Sequence, residues 1–94
     1  MSSIRVTSER SDGDGWRFDV RVEERGAKHD FAVTLGKADY ERWSGGKVAP
    51  ADVIRAAFRF LLAKEPVGSI LRCFDASVIR RYFPEVDREL PGML

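Results

Sequence analysis

Residues 16–35 read WRFDVRVEERGAKHDFAVTL, and their alternation decides the fold class. Trp16, Phe18, Val20 and Val22 alternate with Arg17, Asp19, Arg21 and Glu23. His29, Phe31, Val33 and Leu35 alternate with Asp30, Ala32 and Thr34. A period of two makes each run a strand with one buried and one wet face.

Parity fixes the register between these strands. The apolar positions are even in the first and odd in the second, so facing residues must have numbers with an odd sum. A two-residue turn at Arg25-Gly26 meets that condition. It pairs Val20 with Phe31, Phe18 with Val33 and Trp16 with Leu35 on the buried face. The wet face then pairs Glu23 with Lys28 and Arg21 with Asp30, two opposite charges in each case. Gly26 suits the positive φ of a type I′ turn, and Arg25 suits it less.

Upstream, Ile4-Arg5-Val6-Thr7 reads as a short strand, with Ser11-Asp12-Gly13-Asp14-Gly15 as the turn back. Arg5 opposite Asp19 would lay Ile4 on Val20 and Val6 on Phe18. Downstream the period changes. Tyr40 and Trp43 share one side of a short helix after Gly36, which Ser44-Gly45-Gly46 ends. Pro50 opens the main helix, whose apolar stripe is Val53, Ile54, Ala57, Phe58, Leu61 and Leu62. Pro66 stops it at Glu65. Ser69–Arg72 reads as a turn of helix. Asp75 then caps a helix over 76–83, with Phe74 and Ile79 at hydrophobic-staple spacing and Pro84 as the stop. Leu71, Tyr82 and Phe83 are assigned to the core. The expected fold is α+β: a three-stranded antiparallel meander over about 4–35, one face covered by helices from about 37–90, in a single domain spanning 1–94.

Composition bounds the function. The chain has 94 residues, 44% hydrophobic and 33% charged, with a formal net charge of +1. Those proportions suit a globular protein, and the balanced charge argues against bulk nucleic acid or an anionic membrane as partner. No apolar run approaches the roughly 20 residues that span a bilayer. The opening Met-Ser-Ser-Ile-Arg lacks the apolar stretch of a signal peptide. With one cysteine, no internal disulfide can form. A cytoplasmic protein is expected.

The candidate chemistry is sparse. His29, the only histidine, sits at the turn end of the buried face and reads as structural. Cys73 reads as a small buried hydrophobe, with Arg72 and a nearby helix start as the features that would activate it. Asp12-Gly13-Asp14-Gly15 lacks the sixth-position glycine of a calcium loop. Ser44-Gly45-Gly46-Lys47 is too short for a phosphate loop. No catalytic constellation, metal cluster or cofactor motif is present, so the expected protein is not an enzyme and takes no cofactor.

Two readings remain. The first is an interaction or regulatory module that meets a protein partner or a second copy of itself, on free sheet edges or aromatic surface. The second is a nucleic-acid binder. Arg55 and Arg59 share a helix face, Arg72 lies in the connection, and Arg80 and Arg81 lie on the last helix. Converged, these five would make a positive patch, and the two helices have helix-turn-helix-like spacing.

The segments Phe58–Pro66 (FRFLLAKEP), Ser69–Asp75 (SILRCFD) and Ile79–Pro84 (IRRYFP) together resemble a signature of small uncharacterised bacterial proteins. The resemblance implies a bacterial, cytosolic, self-contained domain. It carries no activity and no site residue with it.

Overall fold

The computed structural model describes residues 2–94; Met1, the first residue of the expected domain, lies outside the described residues. The element order is β1 (Ser2–Asp12), β2 (Gly15–Glu24), β3 (Ala27–Leu35), α1 (Lys37–Ser44), α2 (Pro50–Lys64), β4 (Cys73–Asp75), α3 (Ile79–Tyr82) and α4 (Val86–Glu89). Single 3-10 turns occupy Val67–Ser69, Ala76–Val78 and Leu90–Met93. The fold is α+β.

The β2–β3 hairpin has the register that parity requires. Trp16 faces Leu35, Phe18 faces Val33 and Val20 faces Phe31. Arg21 faces Asp30 and Glu23 faces Lys28 on the outer face. Arg25 (φ 53°) and Gly26 (φ 82°) both take positive φ, as a type I′ turn demands. Arg25 adopts that region at a steric cost that Gly26 does not bear.

β1 corrects the sequence reading in length and in register. It runs to Asp12, and only Gly13-Asp14 turn. Ile4 faces Val22, Arg5 faces Arg21 and Val6 faces Val20, two residues away from the expected pairing. The register then slips between Val6 and Ser8, so that Ser8 faces Asp19 and Asp12 faces Gly15. The slip has a numerical cause. The apolar residues of β1 and β2 are both even and need an even sum, whereas a two-residue turn needs an odd one. The extra residue, Thr7, reconciles them as a β-bulge, and its Oγ1 donates to the Asp19 carbonyl at 3.2 Å. Gly15 is required by space: a Cβ there would stand 2.1 Å from the Leu35 carbonyl oxygen.

The larger correction is a fourth strand. In place of the expected three-stranded antiparallel meander stands a four-stranded mixed sheet, ordered β1-β2-β3-β4, with β4 parallel to β3. Cys73, Phe74 and Asp75 pair with Ala32, Val33 and Thr34, and the Ala32 N–H donates to the Arg72 carbonyl at 2.8 Å. The 3-10 turn at Val67–Ser69 precedes the position expected for a helical turn, and Ile70 is already extended (φ −77°, ψ 133°). Pro66 and Gly68 prevent a longer helix there, and the chain reaches the open edge of β3. Asp75 does act as the cap, since it accepts from the Ser77 N–H at 3.0 Å. Beyond the cap the chain makes a 3-10 turn and then the single-turn α3, in place of one helix over 76–83.

α2 crosses the inner face of the sheet and is buried on more than the expected stripe. Val53, Ile54, Ala57, Phe58 and Leu61 are buried, and so are Ala56 and Phe60, whereas Leu62 is only partly covered. Two layers account for the width. Phe58 meets Phe31 of β3 at 5.2 Å and Phe74 of β4 at 6.1 Å between ring centroids. On another side Phe60 meets Phe83 edge-on at 6.0 Å. Val86 and Leu90 of the C-terminal segment are fully buried in the same cluster. No helix among the described residues is long and apolar enough to cross a membrane.

Candidate functional site: an apolar groove beside the β4 edge

The five arginines singled out in the sequence differ in what they touch. Arg55 donates to Asp52 at 2.9 Å, one turn back on α2. Arg59 and Arg81 are exposed. Arg72 lies with its guanidinium carbon 5.8 Å from the Phe31 ring centroid, a cation–π distance.

Arg80 is occupied by the fold. Its Nε donates to Asp87 Oδ2 at 2.7 Å, and its Nη2 donates to Asp87 Oδ1 and to Asp39 Oδ1 at 2.9 Å each. The guanidinium carbon is 5.7 Å from the ring centroid of buried Trp43. The Trp43 Nε1–H donates to Asp87 Oδ1 at 2.8 Å. One arginine thus ties α1, α3 and α4 together. The Arg80 guanidinium, helped by Trp43, pushes the Asp87 carboxyl down to about 2, and the two carboxylates raise Arg80. Lys64 fastens the end of α2 in the same way, at 3.3 Å from Glu85 and 3.4 Å from Glu89.

His29 faces Val22 at the turn end of the β2–β3 ladder, as its parity requires. Cys73 departs from its reading: it is exposed. It pairs with Ala32, which places it on the outer side of the sheet, while Phe74, paired with Val33, turns inward. Among the described residues no group of three or more His, Cys, Asp or Glu side chains is placed to hold a metal ion.

The surface feature that stands out is built from residues that the sequence assigns to the core. Between the end of α2, the 66–72 connection and α3 lies a groove of about 170 Å³. Leu61, Ile70, Phe74, Ile79 and Phe83 form its walls and floor, and Glu65 is the only charged residue lining it among the described residues. Leu71, 50% exposed, and Tyr82, 67% exposed, also line it. Neither is covered as the sequence reading expects. They stay open because this stretch of short elements buries Ile70, Ala76 and Ile79 fully but Phe74 and Phe83 only in part. The available signal is an excess: 70–83 carries more large apolar residues than two such short elements can cover.

Pro66 sets the position of Glu65. The residue before a proline is driven to extended backbone, and Glu65 leaves the helix at φ −151°, ψ 159°, with its N–H still on the Leu61 carbonyl. Its carboxylate has no ion-pair partner among the described residues, in contrast to Glu85 and Glu89 close by.

Comparison with protein-family models, with curated proteins and with solved structures finds no match to the chain.

Proposed function

We propose that the chain is a non-enzymatic protein-interaction module, and that the groove beside β4 receives one large apolar side chain from a segment of a partner protein. The observation that carries this reading is the exposure of Leu71 and Tyr82 around an otherwise apolar concavity. A contiguous apolar hollow on the surface of a small domain marks a contact site more often than a packing defect. The volume fits the occupant. An apolar cavity of about 150 Å³ is known to accept a benzene ring, so about 170 Å³ suits one aromatic or branched aliphatic anchor. A buried apolar anchor in a pocket is the usual centre of a protein contact.

The nucleic-acid reading has less support. Two of its five guanidiniums, Arg55 and Arg80, already face carboxylates, and an ion-paired arginine releases few counterions on meeting a phosphate.

Selection of a phage-displayed random peptide library against the intact chain tests the proposal. Enriched peptides should share one large apolar residue and lose binding to the Tyr82→Ala and Leu71→Asp chains. Both positions are exposed, so those variants keep the fold. A selection that enriches nothing, or peptides indifferent to both substitutions, would overturn the reading. Sedimentation that shows a dimer dissociated by Tyr82→Ala would instead make the occupant a second copy.

A further inference from the structure

We infer that the partner segment binds as an extended strand added to the open edge of β4, with its apolar anchor in the groove and a lysine or arginine two residues from that anchor facing Glu65. This rests on the groove being the docking surface.

The two edges of the sheet differ in their chemistry. β1 is long, but the Thr7 bulge breaks its ladder, and exposed Arg5, Glu9 and Arg10 line it. Bulges and charges are the devices that keep an edge from pairing. β4 has no bulge, and what guards it is its three-residue length. The charges on and beside it are drawn off the edge: Arg72 lies against Phe31, and the carboxylate of Asp75, the last residue of β4, is held by Thr34 Oγ1 at 2.5 Å and the Ser77 N–H at 3.0 Å. The residue left on the edge is exposed Cys73.

The main chain there is oriented to accept a strand. The Arg72 carbonyl points at β3, where it accepts from Ala32. Main-chain groups of successive strand residues point to opposite edges, so the Cys73 N–H and C=O point outward. A strand paired with them would share a face with Phe74, and that face opens into the groove between α2 and α3. Strand addition obtains affinity from the main chain and specificity from side chains dropped into pockets, and the β4 edge offers both within a few residues.

Charge supplies the second constraint. Residues i and i+2 of a strand share a face and stand about 7 Å apart. An anchor in the groove therefore brings its i+2 or i−2 neighbour to the rim. The charged group there is Glu65, which lacks an ion-pair partner of its own among the described residues. A cation from the partner completes the pair.

The probe is the tightest peptide from the selection, made as a free peptide and in two backbone N-methylated forms that block alternate edges of its strand. Binding is read from amide shifts of the intact chain. We expect one N-methylated form to bind about tenfold more weakly, as the loss of edge hydrogen bonds requires, and the other to match the parent. Shifts should centre on Cys73 and the groove. Enriched sequences should carry Lys or Arg two residues from the anchor, and selection against the Glu65→Lys chain should replace it with Asp or Glu. If both N-methylated forms match the parent, the anchor binds without strand addition and this inference falls while the groove reading stands. If the peptide's basic residue is indifferent to Glu65→Lys, the charge pairing falls. If no peptide shifts the groove, the functional reading falls and takes this one with it.

Discussion

The β2–β3 hairpin and the segment from Pro66 to Phe83 are ordered by opposite means. The hairpin is held by its own neighbours: Arg21 reaches Asp30 across nine residues, and each strand fixes the register of the other. The later segment is held from far away. Thr34 binds Asp75 and Asp39 binds Arg80 across 41 residues each. Its own elements are a three-residue strand, 3-10 turns and a single-turn helix, none of which persists alone. A region with its register fixed locally presents one continuous apolar face, which α2 covers. A region tethered at a few distant points leaves gaps between the tethers, and the groove is such a gap.

Substitutions at four positions put this contrast at risk. The largest effect should come from Phe58, whose ring touches Phe31 of the hairpin and Phe74 of β4. Phe58→Ala should cost about 3–5 kcal/mol in denaturant unfolding and loosen both regions together. If hydrogen exchange showed the hairpin untouched, the two regions would not share one core.

Asp87→Ala comes next. It leaves the buried Trp43 Nε1–H and the Arg80 guanidinium without their shared acceptor, at a cost of about 1–3 kcal/mol. Exchange should quicken around α3 and α4 while the β2–β3 amides hold. The same group shapes the acid limb. Its folded value of about 2 lies below the ordinary 3.8, so its contribution is present above pH 4 and fades as pH falls from there toward 2. Asp87→Asn should flatten that part of the stability profile. Asp30 and Asp75 are also held below the ordinary range, so some acid sensitivity should remain.

Asp75→Ala should cost about 1 kcal/mol, the usual worth of a helix cap. Burial opposes the charge of this carboxylate, but the bonds from Ser77 and Thr34 outweigh burial and lower its value. Its loss should free β4 from β3 before the rest of the sheet yields, seen as early exchange of the Ala32 amide. The smallest effect has the opposite sign. Arg25→Asn places a residue tolerant of positive φ in the type I′ turn and should stabilise the chain by about 0.5–1 kcal/mol. A loss of stability there would contradict the turn geometry.

The same contrast governs what is legible in the sequence. The β2–β3 register comes from parity alone, because one face is buried and the turn has two residues. The bulge at Thr7 is legible in principle: even apolar positions in both β1 and β2 conflict with a tight turn at Gly13-Asp14. The β4 pairing is not legible. Cys73–Asp75 is too short to show a period, and its partner strand lies far upstream. The Asp75 cap can be read because its signal is local. Arg80 reads as surface charge, since nothing adjacent to it announces Asp39 or Asp87. The groove is invisible to a count of apolar residues that ignores how many such short elements can cover.

The parallel β3–β4 pairing also orders events in time. A chain made from its N-terminus completes β3 well before Asp75 exists to meet Thr34, so one side of β3 stays bare through the making of both long helices. Distant pairings of this kind close late, and a bare strand edge on an unfinished chain is where neighbouring chains stick. β4 is therefore a latch on the sheet: the last strand to seat during synthesis, and the first whose release would re-expose β3.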